Sequence, residues 1–128
     1  MLSFLEPRGL AALQVRLAKT ATPYAITGSL AAATIAPLAP ARLATLWFRD
    51  VELASTSLAL RPADVGANVV LAEALDETVF DGALQRDGLW YAAPAQVAVD
   101  LLTSPGRSPQ EGEELIDWMK TNEDRWRR

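Results

Sequence analysis

Gly28 and Ser29 form the pair of residues whose types and position are best suited to chemistry. They follow a short apolar run, 24–27, that predicts a buried strand, and they precede an alanine-rich run that predicts a helix ended by Pro37. Glycine adopts the backbone angles that a sharp strand-to-helix turn needs, and serine is a good helix N-cap. Free amides at such a turn can bind an anion. The pair is therefore a candidate anion- or nucleotide-binding turn, with a purely structural turn as the alternative.

Carboxylates that could hold a metal near this turn are few. A Gly-Ser turn after a strand resembles the triphosphate-binding turn of polymerase-beta-type nucleotidyltransferases, in which the next strand starts with two magnesium-binding carboxylates one residue apart. Here no Asp or Glu occurs between Ser29 and Asp50. Asp50 and Glu52 have the right spacing but follow the next predicted strand, 43–48. With Glu73 they are the candidate metal ligands of an enzyme, and because magnesium needs oxygen ligands in place, the sequence favours no metal and no cofactor.

Composition narrows the remaining function classes. The 128 residues fit one domain, 1–128, and the net charge of −4 argues against a domain that mainly grips a phosphate backbone. The chain has no cysteine and no histidine, which excludes thiol nucleophiles, Ser-His-Asp triads and most transition-metal sites. No apolar run approaches the roughly 18 residues of a membrane span, and no secretion signal is evident. The expected compartment is the cytoplasm.

Four tryptophans are candidates for contact with a partner. Trp47 lies in an apolar run and is expected in the core. Trp90, Trp118 and Trp126 lie in a hairpin, beside an apolar helix stripe and in a charged tail, so they are possible partner-facing residues. The alternative for each is packing against its own domain.

Periodicity in the first half of the chain predicts a mixed α/β fold. Leu10, Leu13 and Leu17 recur at helical spacing, and Pro7 suits the first turn of that helix. The order strand, helix, strand over 24–48 predicts a parallel strand pair with a right-handed crossover. Further elements are predicted as a weak helix at 51–58 capped by Asp50, and strands at 58–60 and 67–74.

The second half of the chain reads as a hairpin followed by helices. Asp76 is expected to cap one helical turn, and Asp87-Gly88 is the favoured pair for the turn of a hairpin over 84–91. A helix is predicted over 94–103. A capping box at 108–111 then starts the last helix, whose apolar stripe is Gly112, Leu115, Ile116 and Met119, and the charged end at 120–128 is expected to fray.

Three runs together resemble a known family: Tyr91 to Met119, Tyr24 to Ala32 and Pro62 to Leu71. They look like the C-terminal domain of actinobacterial AbiEi-like proteins, which are type IV toxin–antitoxin antitoxins and transcriptional regulators. The resemblance runs from about Leu10 to Met119 and carries no catalytic residues. The order strand, Gly-Ser turn, helix, proline-rich link and strand over 24–48, with the further predicted elements, indicates a small, partly parallel sheet flanked by helices, which resembles a degenerate nucleotidyltransferase without its metal site.

The resemblance also implies a function. In that family the partner is a nucleotidyltransferase-like toxin, and an N-terminal winged helix binds DNA. No winged helix precedes Leu10 in this sequence, so direct DNA binding is not expected from this domain alone. The leading hypothesis is a non-catalytic regulatory or protein-interaction domain. The alternatives are a nucleotide-binding or nucleotidyl-transferring enzyme using Asp50 and Glu52, and a truncated remnant without independent activity.

Overall fold

A computed structural model describes residues 2–36, 40–103 and 108–126. Its strands are β1 (Leu2–Leu5), β2 (Tyr24–Thr27), β3 (Ala44–Phe48), β4 (Arg61–Pro62), β5 (Val69–Glu73), β6 (Leu84–Arg86) and β7 (Leu89–Tyr91). Its α-helices are α1 (Leu10–Leu17), α2 (Gly28–Ile35), α3 (Val51–Ser57), α4 (Pro94–Leu102), α5 (Ser108–Thr121) and α6 (Glu123–Trp126), with a 3-10 turn at Glu77–Phe80. None of the helices in the described ranges is long and apolar enough to cross a membrane.

The seven strands form one mixed sheet in the order β4-β1-β5-β3-β2-β7-β6. The pairs β3–β5 and β2–β7 are parallel, and the other pairs are antiparallel. Helices flank the sheet, with α2 and α4 packed against its central strands and α5 packed on α4. The predicted mixed α/β class, with a partly parallel sheet flanked by helices, is therefore confirmed.

The predicted parallel pairing of 24–27 with 43–48 is wrong, because β2 and β3 are antiparallel neighbours. Tyr24 pairs with Phe48 and Thr27 with Thr45. After helix α2, strand β3 begins at the end of the sheet at which β2 stops. The parallel partner of β3 is instead β5, which follows α3. Gly28 therefore lies beside the start of β3, and Asp50 lies beyond its other end.

Three local predictions also need correction. Strand β1, which pairs with β4 and β5, was not predicted, and Pro7 precedes α1 rather than lying in its first turn. Ser29 is not the N-cap of α2, because the helix already begins at Gly28 and Thr27 holds the cap position. The predicted strand at 58–60 is instead the C-cap of α3, Leu58, and the two-residue link to β4.

The predicted caps, the hairpin turn and the apolar stripe of the long C-terminal helix follow the sequence pattern closely. Asp50 caps α3 by accepting the Leu53 amide at 3.0 Å, and Asp76 caps the 3-10 turn through the Thr78 amide. Asp87 and Gly88 join β6 to β7 with φ of 50° and 80°, as a primed hairpin turn requires. The predicted stripe of α5 faces inward, with Gly112, Leu115 and Met119 buried. In the predicted capping box, the Ser108 side chain lies outside the described residues.

A buried carboxylate ties β1 to α1. Glu6 is 1% exposed, and its side chain accepts from Arg16 and from the Arg8 backbone and Nε. Asn68 exchanges two hydrogen bonds with the Glu6 backbone, at 2.8 and 3.0 Å. Burial raises the pKa of Glu6, but the hydrogen bonds from Arg8 and Arg16 and the charge of Arg16 outweigh it, so the pKa lies below its usual value. The charge is thus held in the fold by its partners.

Replacing Gly28 by valine is expected to lower the free energy of unfolding by about 1–3 kcal/mol. Gly28 has φ of +66°, and an added Cβ would lie 3.2 Å from Thr45 Oγ1. Gly88 also has positive φ, but nothing lies within 4 Å of its Cβ position, so Gly88→Val controls for backbone strain alone. Urea unfolding of both variants measures the difference, and an unchanged stability of Gly28→Val would contradict the expected role.

Candidate functional site

Polar side chains from three elements of the fold meet next to the Gly28 turn. Asp100 Oδ2 on α4 accepts from the Thr27 hydroxyl at 2.6 Å and from Trp47 Nε1 at 2.8 Å, while its Oδ1 accepts from Gln96 at 2.8 Å. Gly28 and Thr27 are buried. Trp47, expected in the core, is half-buried and packs against it. The carboxylate beside the turn is therefore held by donors from three elements of the fold, as expected of a structural hub.

The three candidate metal ligands lie at the opposite end of the central strands from the Gly28 turn. Asp50, Glu52 and Glu73 line one groove of about 440 Å³, because β3 and β5 are parallel and Phe48 pairs with Glu73. Among the described residues no group of three acidic side chains is placed to hold a metal ion. Gly28 lies beside Ala44 at the start of β3. Asp50 is six residues farther along the chain, which is roughly 20 Å at about 3.4 Å per residue of strand. The Gly-Ser turn and these carboxylates therefore do not share one site.

A second hollow at the same end, about 430 Å³ in volume, is lined mainly by apolar and aromatic side chains. We call it the aromatic cleft. The segment before β2, the residue after β3, the turn before β6 and the middle of β7 form its walls. Its lining residues are Thr20, Ala21, Thr22, Pro23, Tyr24, Arg49, Phe80, Gly82, Ala83 and Trp90. Its volume falls in the range of pockets that bind small ligands or a few side chains.

Trp90 is the exposed aromatic residue of the cleft. Its side chain lies on the face of β7 opposite the buried Leu89 and Tyr91, and 43% of the residue is exposed. The Trp90 amide donates to the Tyr24 hydroxyl at 3.2 Å. Burial raises the pKa of Tyr24, which the bond from Trp90 only partly offsets, so this phenol stays neutral at physiological pH. The hydrogen bond to the buried Tyr24 therefore holds the Trp90 backbone against the core.

Among the described residues that line the cleft, Arg49 is charged and the others are neutral. Its guanidinium carbon lies 5.7 Å from the centroid of the Phe80 ring, within cation–π range. Its Nη2 donates to Glu77 Oε2 at 2.9 Å, and both side chains are more than half exposed. Arg49 also lines the carboxylate groove, so it separates the two hollows. This arrangement leaves guanidinium donors in reach of solvent.

The other predicted partner-facing tryptophans are placed differently. Trp118 is half-buried and packs against the hydrophobic core, and its carbonyl accepts from the Asn122 amide and side chain. Trp126 ends α6, and its side chain lies outside the described residues. Of the three, Trp90 is the one that the structure places on an accessible cleft wall.

Comparison with known proteins identified no matching family model, no matching curated protein and no matching solved structure.

Most of the aromatic cleft is not predicted by the sequence pattern. The sequence pattern indicates Trp90 as a candidate but assigns no function to Arg49 or Phe80. A signal was present: Arg49 ends a buried strand, and an arginine there must leave the sheet toward solvent. Its pairing with Phe80 and Glu77 depends on contacts about thirty residues apart, which local patterns do not encode.

Proposed function

We propose that the chain is a non-catalytic regulatory and protein-interaction domain of the AbiEi-like antitoxin type that acts in the cytoplasm. The observation that carries the interaction part is the exposure of Trp90 on the wall of the aromatic cleft. The antitoxin type, and a nucleotidyltransferase-like toxin as partner, rest on the resemblance of the three sequence runs. In this proposal Trp90 supplies the partner contact.

The chemistry of the cleft supports binding of a protein partner. Tryptophan and arginine are enriched among the residues that dominate binding energy at interfaces. The cleft presents Trp90 and Arg49 together over a wall that the core holds in place. Because the Trp90 backbone is held before binding, only the few rotatable bonds of its side chain lose conformational freedom when a partner covers it. The cleft therefore has the composition of an interface centre.

The enzyme alternative has one favourable observation, the shared groove of Asp50, Glu52 and Glu73. Against it, Asp50 already caps α3, and the Gly28-Ser29 turn lies at the opposite end of the central strands. A metal ion must contact both the triphosphate and the attacking group to promote transfer. We therefore expect no metal-dependent nucleotide site built from these two halves.

Titration with ATP or CTP plus magnesium is expected to give no heat of binding at micromolar concentrations and no labelled product on RNA or protein. Calorimetry and autoradiography measure the two. A matched titration of the Asp50→Asn, Glu52→Gln double variant provides the control. Micromolar affinity that this variant abolishes, or a metal-dependent product, would establish the enzyme alternative.

Co-expression tests the proposed function directly. The chain is produced with a nucleotidyltransferase-like toxin, the class of partner that the resemblance implies, and growth and complex formation are followed. The expected results are relief of toxin-dependent growth arrest and a stable complex on size-exclusion chromatography. Unrelieved arrest with no complex would contradict the proposal.

A further inference from the structure

We propose that the aromatic cleft binds a short acidic–apolar segment of the partner protein, with one carboxylate held by Arg49 and the neighbouring apolar side chain packed between Trp90 and Phe80. This inference rests on the proposed function, because it names the part of the partner that this surface recognises. It starts from the charge of the lining: Arg49 is the charged side chain among the described lining residues, and the rest are neutral.

Glu77 shows what Arg49 can hold. The chain itself places a carboxylate 2.9 Å from Arg49 Nη2, at the edge of the cleft. The Glu77 side chain is 63% exposed, and ion pairs at such exposure contribute little to stability. The guanidinium carries five donors, of which this single contact uses one. A partner carboxylate can therefore bind beside Glu77 or replace it at low cost.

The position of the guanidinium over Phe80 orients the incoming group. Arg49 Cζ lies 5.7 Å from the Phe80 centroid, which places the fork of donors along one wall of the cleft. Trp90 forms the wall on the β7 side, and Tyr24 anchors its backbone. A carboxylate at Arg49 thus places the next side chain of an extended segment against aromatic surface. An apolar or aromatic side chain gains most from this contact.

The acidic surroundings restrict the occupant to a segment with few carboxylates. Asp50, Glu52 and Glu73 lie on the other side of Arg49, and Asp81 adjoins Phe80 in the turn before β6. These charges oppose a strongly acidic ligand. A single carboxylate flanked by apolar residues fits both the arginine and the neutral remainder of the cleft. The cleft volume of about 430 Å³ suits roughly two side chains.

Peptide titrations followed by nuclear magnetic resonance test this inference. The probes are acetyl-Gly-Asp-Phe-Gly-amide and its Asn-Phe and Asp-Gly counterparts, and the readout is the Trp90 indole signal. We expect the Asp-Phe peptide to shift that signal and to bind about three- to tenfold more tightly than either counterpart. Equal affinity for the Asp-Phe and Asn-Phe peptides, or no shift of the Trp90 signal, would overturn the inference.

Two variants isolate the carboxylate contact. Arg49→Gln is expected to abolish the preference for Asp-Phe over Asn-Phe, whereas Glu77→Gln is expected to strengthen binding of Asp-Phe about twofold because it removes the internal competitor. Retained preference in Arg49→Gln would overturn the inference. Tighter binding of free benzoate than of the peptide would also overturn it, in favour of a small aromatic acid as ligand.

Comparing Arg49→Gln with Trp90→Ala separates this inference from the function on which it depends. If the partner complex is weakened by Trp90→Ala but not by Arg49→Gln, the interaction function stands and the acidic segment is wrong. If the wild-type chain forms no complex at all with the toxin-like protein, the interaction function itself is wrong, whatever the peptides do.

Discussion

Replacing Arg16 by methionine is expected to lower the free energy of unfolding by about 3 kcal/mol. Methionine keeps the unbranched stem but leaves the Glu6 carboxylate, which is 1% exposed, without the less exposed of its two arginine partners. Removing one member of a buried ion pair is strongly destabilising because the other charge remains desolvated. Arg16 also donates to the Leu58 carbonyl, which joins α1 to the end of α3. Urea unfolding monitored by tryptophan fluorescence measures the loss.

Arg8→Met is the matched control. Arg8 contacts the same carboxylate at 3.2 Å, but its side chain is 66% exposed. Screening by water makes exposed pairs worth about 1 kcal/mol or less. A loss for Arg8→Met as large as that for Arg16→Met would contradict the assignment of Arg16 as the essential partner.

The pH dependence of stability gives an independent measure of the Glu6 network. The pKa of Glu6 in the folded chain lies below the ordinary value of 4.5, so the unfolded chain takes up its proton first as pH falls. The stability from this group is therefore complete well above pH 4.5 and is lost as pH falls through the lower, folded pKa. Glu6→Gln should be less stable than wild type at pH 7, with a difference that shrinks in acid. A constant difference would exclude the network as its source.

Replacing Trp90 by alanine is expected to weaken the complex with the toxin-like partner by about 2–4 kcal/mol, which is roughly 30- to 1000-fold in affinity. The expectation follows from the position of Trp90 on the cleft wall and from its fixed backbone. Since 43% of the residue is exposed, the fold itself should lose little. Isothermal titration calorimetry measures the affinity, and thermal melting confirms that the variant is folded.

Val65→Ala controls for loss of exposed apolar surface. Val65 is 91% exposed and lies near β4, at the edge of the sheet farthest in strand order from β7. Its replacement should leave affinity unchanged. Equal weakening by both substitutions would show that the aromatic cleft is not the centre of the interface.

The elements of this fold with strong local signals could be predicted from the sequence. Strand β2 matches the predicted run 24–27, and the Asp87-Gly88 hairpin and the stripe of α5 follow from turn chemistry and helical spacing. Strand β1 was missed because its four residues precede a proline and a helix pattern, and its pairing partners lie about sixty residues away. Local patterns carry no record of such contacts.

Strand direction was the error with the largest consequence for the site. A parallel pair would require the chain to cross back, after α2, to the end of the sheet at which β2 begins. The register of Tyr24 with Phe48 shows instead that β3 begins at the end at which β2 stops. Helix α2 is only eight residues long, which is roughly 12 Å at about 1.5 Å per residue. Gly28, Asp50 and Trp90 are all candidates from the sequence. Only the tertiary structure shows that Gly28 lies at one end of the central strands and that Asp50 and Trp90 lie towards the other.

The most direct test of the central claim is the response of the tryptophan indole signals when the toxin-like partner is added to the isotope-labelled chain. The account predicts that the Trp90 signal shifts or broadens, while Trp47, whose indole nitrogen donates to Asp100 at 2.8 Å beside the Gly28 turn, stays unchanged. Formation of the complex with an unchanged Trp90 signal would contradict the assignment of the aromatic cleft as the partner-binding surface.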